Sequence, residues 1–581
     1  MIKLDYVKNK NINLFKDLEN LDFEKIQNYI PFYNYYFQLN ETNWNNINLN
    51  QKYSIINISK KINDNEYIVQ LNNNEKINCY FKLSPLIEPD KYLNGNYSDI
   101  SKNDIYILPK FINDRNKINK YNNNNNTSYI DSFFYFLSSK LKNEYNFIHG
   151  VDFYGSFLGL KRDYKYNIAD DLEILHHSDY FLNNNGILYN INEDVNKMFN
   201  FDTRKHKEHL QISKTLSNLS INSLNDFENF ENLFTDNSNN SHIINIDDIK
   251  NLDSEYENKL INSSSKKTNN SSTQYDSNTS KTSLSNSDSS FNLSDKNSTN
   301  DESIILEESE SEIEESNENY TSCSSSLFND EYIECNIKKF PVQIICIEKM
   351  ENTLDYHMNN NEIDIEEWSA IFMQIIMILI TYQKVFDFTH NDLHSNNIMF
   401  TETDKQFLYY KYNNRYYKVP TFGKIFKIID FGRAIYKFNG KILVSDSYSE
   451  NGDAATQYNF PPYYNKNKPK VEPNKSFDLC RLACSLYDNF IYEKDIDDFD
   501  NIDHLINDWC KDDNNKNVLY KSNGDERYPG FKLYKMISRK VNKHIPNNEL
   551  NKPIFSNFKI SHKKIKKVKN IMNIDNIPVC I

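Results

Sequence analysis

Glycine is scarce. The chain has 11 in 581 residues, and none before Gly95. Freedom to adopt left-handed backbone is therefore confined to few places, and each glycine carries information. Hydrophobic residues make up 38%, below the roughly 45–50% usual in globular chains. Part of the chain is expected to build no core. Eight cysteines occur without a CxxC pair, which speaks against a disulfide scaffold or a zinc site and for reduced thiols in a cytosol-like compartment. No run reaches the ~18 apolar residues of a spanning helix; the longest, near Ala370–Ile380, contains Gln374 and reads as a buried helix. The opening MIKLDYVKNK has no signal-peptide apolar region. Positive charge is in deficit, with net charge −14. That argues against a nucleic-acid footprint over the whole protein.

Asparagine, by contrast, is about one residue in six, a bias an AT-rich genome would also produce. Tyr at 41 and Phe at 37 supply ample apolar area. One or two domains plus a disordered segment fit this arithmetic.

Residues 1–50 give no clear pattern. Tyr53–Ser59, Glu66–Leu71 and Ile77–Leu83 read as a strand meander between Asn/Asp breaks. Thr127–Lys142 reads as a helix, with Ser128 as its cap and an aromatic stripe at Tyr129, Phe133, Phe136 and Leu137. Val151–Leu160 reads as a strand. From about Asp202 to Ser326, Ser, Asn and acids dominate, and disorder is expected. Asp301–Glu318 holds nine acids and no Lys or Arg, a self-repelling run. Phe340–Ile347 reads as a buried strand and Asp364–Lys384 as a strong helix. Short strands follow at Asn397–Phe400, Gln406–Tyr412, Arg415–Val419 and Ile425–Ile429. The chain beyond Ser476 is mainly helical, and Lys559–Lys569 is basic. Cys480 and Cys484, one helical turn apart, read as core. The order suggests a two-lobed α+β layout.

Two words carry the chemistry: HNDLHSNNIMF, His390–Phe400, and FKIIDFGRAIY, Phe426–Tyr436. Together they resemble the catalytic loop and the metal loop of the protein-kinase-like superfamily, H-x-D-L-x-x-x-N followed by D-F-G. Asp392 and Asn397 keep the spacing of five, and Asp430-Phe431-Gly432 supplies the triplet. The resemblance implies an ATP- and Mg²⁺-dependent phosphotransferase. Phosphoryl transfer needs positioning and charge neutralisation more than covalent help. Asp392 would orient the hydroxyl and take its proton. Asn397 and Asp430 would offer oxygen ligands to Mg²⁺. Gly432 would allow the tight turn at Asp430, and His390 would brace the loop. His394 stands where most serine/threonine kinases have Lys, and this D-L-H variant resembles haspin-type, aminoglycoside-phosphotransferase-like and other atypical kinases. It is either a titratable cation or a loop hydrogen-bonder, and the acceptor stays open between protein hydroxyl and small molecule.

Lys82, in YFKLSP, is the candidate for the ATP phosphates. The partner Glu of the following helix is missing; that helix offers only Asp131. IICIEKME resembles the strand and hinge that meet adenine, with Glu348 and Met350 as candidates. SFDLCRLACSL places Asp478 where the family anchors the catalytic loop. The hairpin Ser59–Glu66 has no glycine-rich loop, leaving Lys60 and Lys61 as side-chain alternatives, and no A-P-E follows. A catalytically inactive scaffold is therefore the alternative to an enzyme. KLSPLIEP, DFYGSFLG, YYKVPTFGKIFKIIDFGRAI and NGDERYPGFKLYKMI resemble kinase-like proteins of large nucleocytoplasmic DNA viruses. That implies host cytoplasm or a viral factory, with the virion as a further location. No membrane partner is expected, and the acidic insert would meet a viral or host protein. The expected layout is an extension (1–52), small-lobe elements (53–201), an insert (202–339), hinge and large lobe (340–558), and a basic tail (559–581).

Overall fold

The computed structural model describes residues 2–111, 118–191, 333–491 and 494–581. All of them belong to one compact unit. The expected disorder, the acidic run and its interaction surface lie outside the described residues.

The strands of the largest sheet, in chain order, are β1 (Phe23–Gln27), β2 (Ile55–Lys61), β3 (Glu66–Leu71), β4 (Lys76–Pro85), β5 (Phe153–Asn167), β6 (Tyr189–Ile191) and β7 (Glu334–Glu348). They form one seven-stranded sheet in the order β1-β5-β7-β4-β3-β2, with β6 also paired to β7. Every pairing is antiparallel. β7 begins at Glu334, six residues before the predicted Phe340. Its first half pairs with the far end of β5, Tyr164 opposite Ile337, so the polar residues there are held by a ladder that hydropathy does not reveal. The N-terminal 52 residues are likewise no free extension. Helix α1 (Ile12–Glu19) packs Leu14 and Leu18 inward, and β1 joins the sheet.

Helix α2 (Thr127–Tyr145) is buried from Ser128 to Leu141. Its cap is Asn126, whose side chain accepts the Ser128 N–H at 3.0 Å. Ser128, the predicted cap, instead donates to the Pro85 carbonyl at 2.6 Å. Asn146, left-handed at φ 57°, ends the helix. Helix α3 (Ile365–Phe386) starts on Asp364, which accepts the Glu367 N–H at 2.8 Å. By length and composition this helix is apolar enough to cross a membrane, contrary to the sequence expectation, but it lies buried within the chain. Phe134 of α2 meets Tyr382 and Phe386 of α3 at 5.0 and 5.5 Å between ring centres. Each such pair adds about 0.5–1.5 kcal/mol beyond area burial.

After α3 come β8 (Ile398–Glu402), β9 (Phe407–Tyr412), β10 (Arg415–Pro420), β11 (Lys424–Ile428), β12 (Ile435–Phe438) and β13 (Lys441–Val444). β8 pairs with β11, which sets the two sequence words side by side, Ile398 opposite Ile428. Helices α4 (Phe477–Ile491), α5 (Asn501–Trp509) and α6 (Lys532–Lys540) follow. The basic segment does not hang free. β14 (Lys559–Ile560) pairs with β10 and β15 (Met572–Asn573) with β9. Asp575 caps the β9–β10 turn, accepting the N–H groups of Asn413 (2.7 Å) and Asn414 (3.1 Å).

Candidate active site

Lys82 projects from β4, which pairs with β7 across Lys82–Ile345. Its Nζ lies 2.6 Å from Asp131 Oδ2 and 3.0 Å from Asp430 Oδ1. Asp131, the one acid the sequence offered in that helix, is thus the partner of Lys82, although it is short and early in α2. Asp131 is 1% exposed. Its other oxygen accepts the Phe431 N–H at 2.7 Å. One helical turn on, Tyr135 Oη accepts the Asp430 N–H at 2.9 Å. An i, i+4 pair on one face of α2 therefore holds the backbone of the Asp-Phe-Gly word. Tyr135 escaped sequence reasoning, since only its spacing from Asp131 signals it.

Two carboxylates share one ammonium, and their affinities for protons are driven apart. Burial pushes the Asp131 carboxyl up to about 6 against the pull of Lys82. Burial also works to raise Asp430, but Lys82 outweighs it and holds that carboxyl down to about 2. Asp430, its side chain 50% exposed, remains ionised and meets Lys82 through Oδ1. For Lys82, burial lowers and Asp131 and Asp430 raise, with a net rise, so it stays an ammonium.

The turn at this word differs from expectation. The left-handed residue is Asp430 itself, φ 62°. Gly432 is not left-handed; a Cβ there would sit 3.0 Å from Thr127 Cγ2. Its smallness serves the close approach of α2. Phe431 is fully buried, 4.5 Å from Phe134 and 5.8 Å from the His390 ring.

The His390–Asn397 loop is held from below by Asp478 of α4. This buried carboxyl accepts the N–H groups of His390 and Asn391, both at 2.9 Å. Burial pushes it up to about 7 in spite of those two bonds. His390 Nδ1 accepts the Asp392 N–H at 3.3 Å, and Nε2 lies 2.9 Å from the Ile429 carbonyl. That pattern fixes a neutral ring with the proton on Nε2, and burial lowers its pKa accordingly. His390 thus ties one word to the other.

Asn397 Nδ2 donates to the Asp392 carbonyl at 2.9 Å and lies 3.0 Å from His394 Nε2. Both amide hydrogens are used, which leaves Oδ1 as the atom available to a cation. His394 is an acceptor in that loop. Burial lowers its pKa below the usual histidine value, against the pull of Asp392. Asp392 Oδ1 accepts from Tyr534 Oη at 2.8 Å, and Oδ2 is 3.9 Å from Arg433 Nη1. The Tyr534 ring lies between Arg433 and Arg481, 5.7 and 5.1 Å from their guanidinium carbons, and Arg481 Nε donates to its Oη at 2.9 Å. Tyr534 and Arg481 have no local sequence signal for this role, being 142 and 89 residues beyond Asp392.

Glu348, a hinge candidate by sequence, is fixed by its neighbours through both its N–H and its side chain. Its N–H donates to the Asp152 carbonyl at 3.0 Å. Its side chain turns inward to Lys142 (2.9 Å) and Lys427 (2.5 Å). Burial raises it, the two lysines outweigh this, and it is held down to about 2. Met350 is buried, and neither its N–H nor its carbonyl has a backbone partner among the described residues.

The glycine-free turn between β2 and β3 closes by the Ile62 N–H on the Glu66 carbonyl at 2.8 Å and by side chains. Asn63 Oδ1 accepts the N–H groups of Asn65 and Glu66 at 2.9 and 2.8 Å. Asn65 is then tied to Phe81, beside Lys82, through its carbonyl (2.7 Å) and its amide (3.0 Å). No residue of 62–65 is left-handed, so no glycine is required. Lys61 is paired with Asp22 and Asp64 at 3.3 and 3.2 Å. Lys60 is exposed.

No family model matches the chain. A stretch of 108 residues, 18% of the chain, is 32% identical to a probable serine/threonine-protein kinase of Dictyostelium discoideum. The match spans 9% of that protein's length. The chain is thus similar in part to a kinase.

Proposed function

We propose that the chain is an ATP-dependent phosphotransferase with a two-lobed protein-kinase-like fold, acting on protein serine or threonine hydroxyls. The observation that carries this reading is the convergence of Lys82, Asp131 and Asp430 within 3.0 Å, from strand, helix and loop. The donor set suits the group it would hold. Asp430 Oδ2 and Asn397 Oδ1 are oxygen donors of the kind Mg²⁺ takes. Lys82 is an ammonium fixed by two carboxylates, and Met350 offers an unpaired N–H and carbonyl for a purine edge. When bound, Mg²⁺·ATP supplies the phosphoryl group and the neutralising charge. Asp392 accepts the proton of the attacking hydroxyl, Asn397 fixes the Asp392 backbone, and His390 holds this loop against Ile429.

The test is calorimetry of ATP with and without Mg²⁺, on the parent and on Asp430→Ala. Mg²⁺-dependent binding lost in the variant supports the site. No binding at millimolar ATP favours the second reading, a catalytically inactive scaffold. Two observations support that alternative: the glycine-free turn, and Tyr534 Oη on the Asp392 carboxylate. A panel of acidic protein, sugar and aminoglycoside acceptors separates a protein kinase from a small-molecule kinase. On the resemblance to proteins of large DNA viruses, we place the chain in host cytoplasm or a viral factory; imaging of infected cells tests this.

A further inference from the structure

Two acids downstream of the Asp-Phe-Gly word, Asp446 and Asp453, are tied to elements that hold the site. Asp446 is buried. Its Oδ1 accepts the Thr127 N–H at 3.1 Å and the Thr127 hydroxyl at 2.9 Å. Its Oδ2 lies 3.3 Å from Lys120 Nζ, which also pairs with Glu88 at 2.6 Å. The Asp446 N–H donates to the Asn125 carbonyl at 2.7 Å. The Ser445 and Ser447 hydroxyls lie 2.7 and 3.2 Å from Thr127 Oγ1. The segment is therefore fastened by side chains to Thr127, the first residue of α2, and by backbone to Asn125 just before it.

Thr127 and Asp131 are four residues apart, on one helix face. Asp131 holds Lys82 and the Phe431 N–H, so the position of Thr127 is transmitted to both by one rigid turn. Asp453 lies 2.5 Å from Arg433 Nη2, and Arg433 reaches toward Asp392. Asn391, next to Asp392, is uncharged. Its amide donates to the carbonyls of Thr389 and Arg433, and its Oδ1 accepts from Tyr458 Oη at 2.6 Å. A phosphate orders such a segment by bringing negative charge to cations and helix N-termini. Here carboxylates already stand at both places.

We propose that Asp446 is a positioning residue whose carboxylate locks the start of α2, so that Lys82, Asp131 and Asp430 assemble in the unmodified chain without phosphorylation of the 445–453 segment. This rests on the nucleotide-site reading above. The test measures hydrogen exchange and Mg²⁺·ATP binding of the full chain, before and after phosphatase treatment. In Asp446→Ala, exchange over 127–135 and 428–434 should quicken about tenfold, in line with loss of a helix cap. ATP affinity should fall by a similar factor. Asp446→Asn keeps the acceptor for Thr127 and loses the charge facing Lys120; it should show a smaller change in both readouts, and it serves if the Ala variant does not fold. Phosphatase-treated parent should bind as untreated parent does. Unchanged exchange over both segments, or parent binding lost on phosphatase treatment, overturns the proposal. Exchange that responds while no form binds ATP overturns the nucleotide reading instead, and removes from Asp446 its role in serving it.

Discussion

The clamp around Lys82 and the loop around Asp392 are held by different physics. The clamp is built of full charges: one ammonium between Asp131 and Asp430. The loop is held by a buried carboxyl that receives two backbone N–H groups, and by neutral imidazoles. In the clamp, opposite charge keeps Asp430 ionised. Under the loop, no cation among the described residues pairs with Asp478, and burial drives its carboxyl up to about 7. The same residue type thus performs opposite tasks, decided by whether a cation stands within reach.

The largest expected effect separates chemistry from scaffolding. Asp392→Asn should lower turnover by about 10²–10⁴-fold, the usual worth of a general base, with ATP affinity kept; a steady-state assay beside calorimetry checks this. Asp478→Ala should come next and act on stability. It strands two buried N–H groups at about 1–3 kcal/mol each, read by urea unfolding. Lys82→Met should cost less, about 1–3 kcal/mol, because Asp131 can take up a proton rather than remain a buried charge. If Lys82→Met destabilises more than Asp478→Ala, the contrast between the two halves is wrong.

Acid and base should sharpen the contrast. Asp478 has its folded pKa raised from 3.8 to about 7. Its contribution is fully present below pH 3.8 and is lost as pH rises toward 7. Asp430 is lowered from 3.8 to about 2, so its contribution is present above 3.8 and is lost as pH falls toward 2. Unfolding free energies measured across pH should show the first slope disappear in Asp478→Asn and the second in Asp430→Asn. The smallest effect is expected at the turn. Lys61→Ala breaks surface pairs and should shift stability by less than about 1 kcal/mol and leave ATP affinity unchanged, by the same two assays.

Much of the site is legible along the chain because its parts are local. Asp392 and Asn397 are five residues apart, and Asp430 to Gly432 are consecutive. Periodicity finds α2 and α3 because each buries long apolar stretches. Other features are not local. A short Asp131 suffices as partner to Lys82 because α2 approaches the Asp-Phe-Gly word closely enough for a Cβ on Gly432 to crowd Thr127. Glu348 reads as a hinge residue by position, yet Lys142 and Lys427, far from it in sequence, turn it inward. The β2–β3 turn closes without left-handed backbone because Asn63 Oδ1 takes two backbone N–H groups and Asn65 is tied to Phe81, contacts that spacing does not announce.

Residue types and short spacings by themselves determined which groups could orient a hydroxyl, offer oxygens to a cation or meet a phosphate. Tertiary structure alone decided which of them are charged and which are held. Tyr135, Tyr534 and Asp446 enter through contacts spanning 295, 142 and 319 residues. A carboxyl's charge depends on burial and on neighbours within a few ångströms, and those distances exist only once the chain is folded.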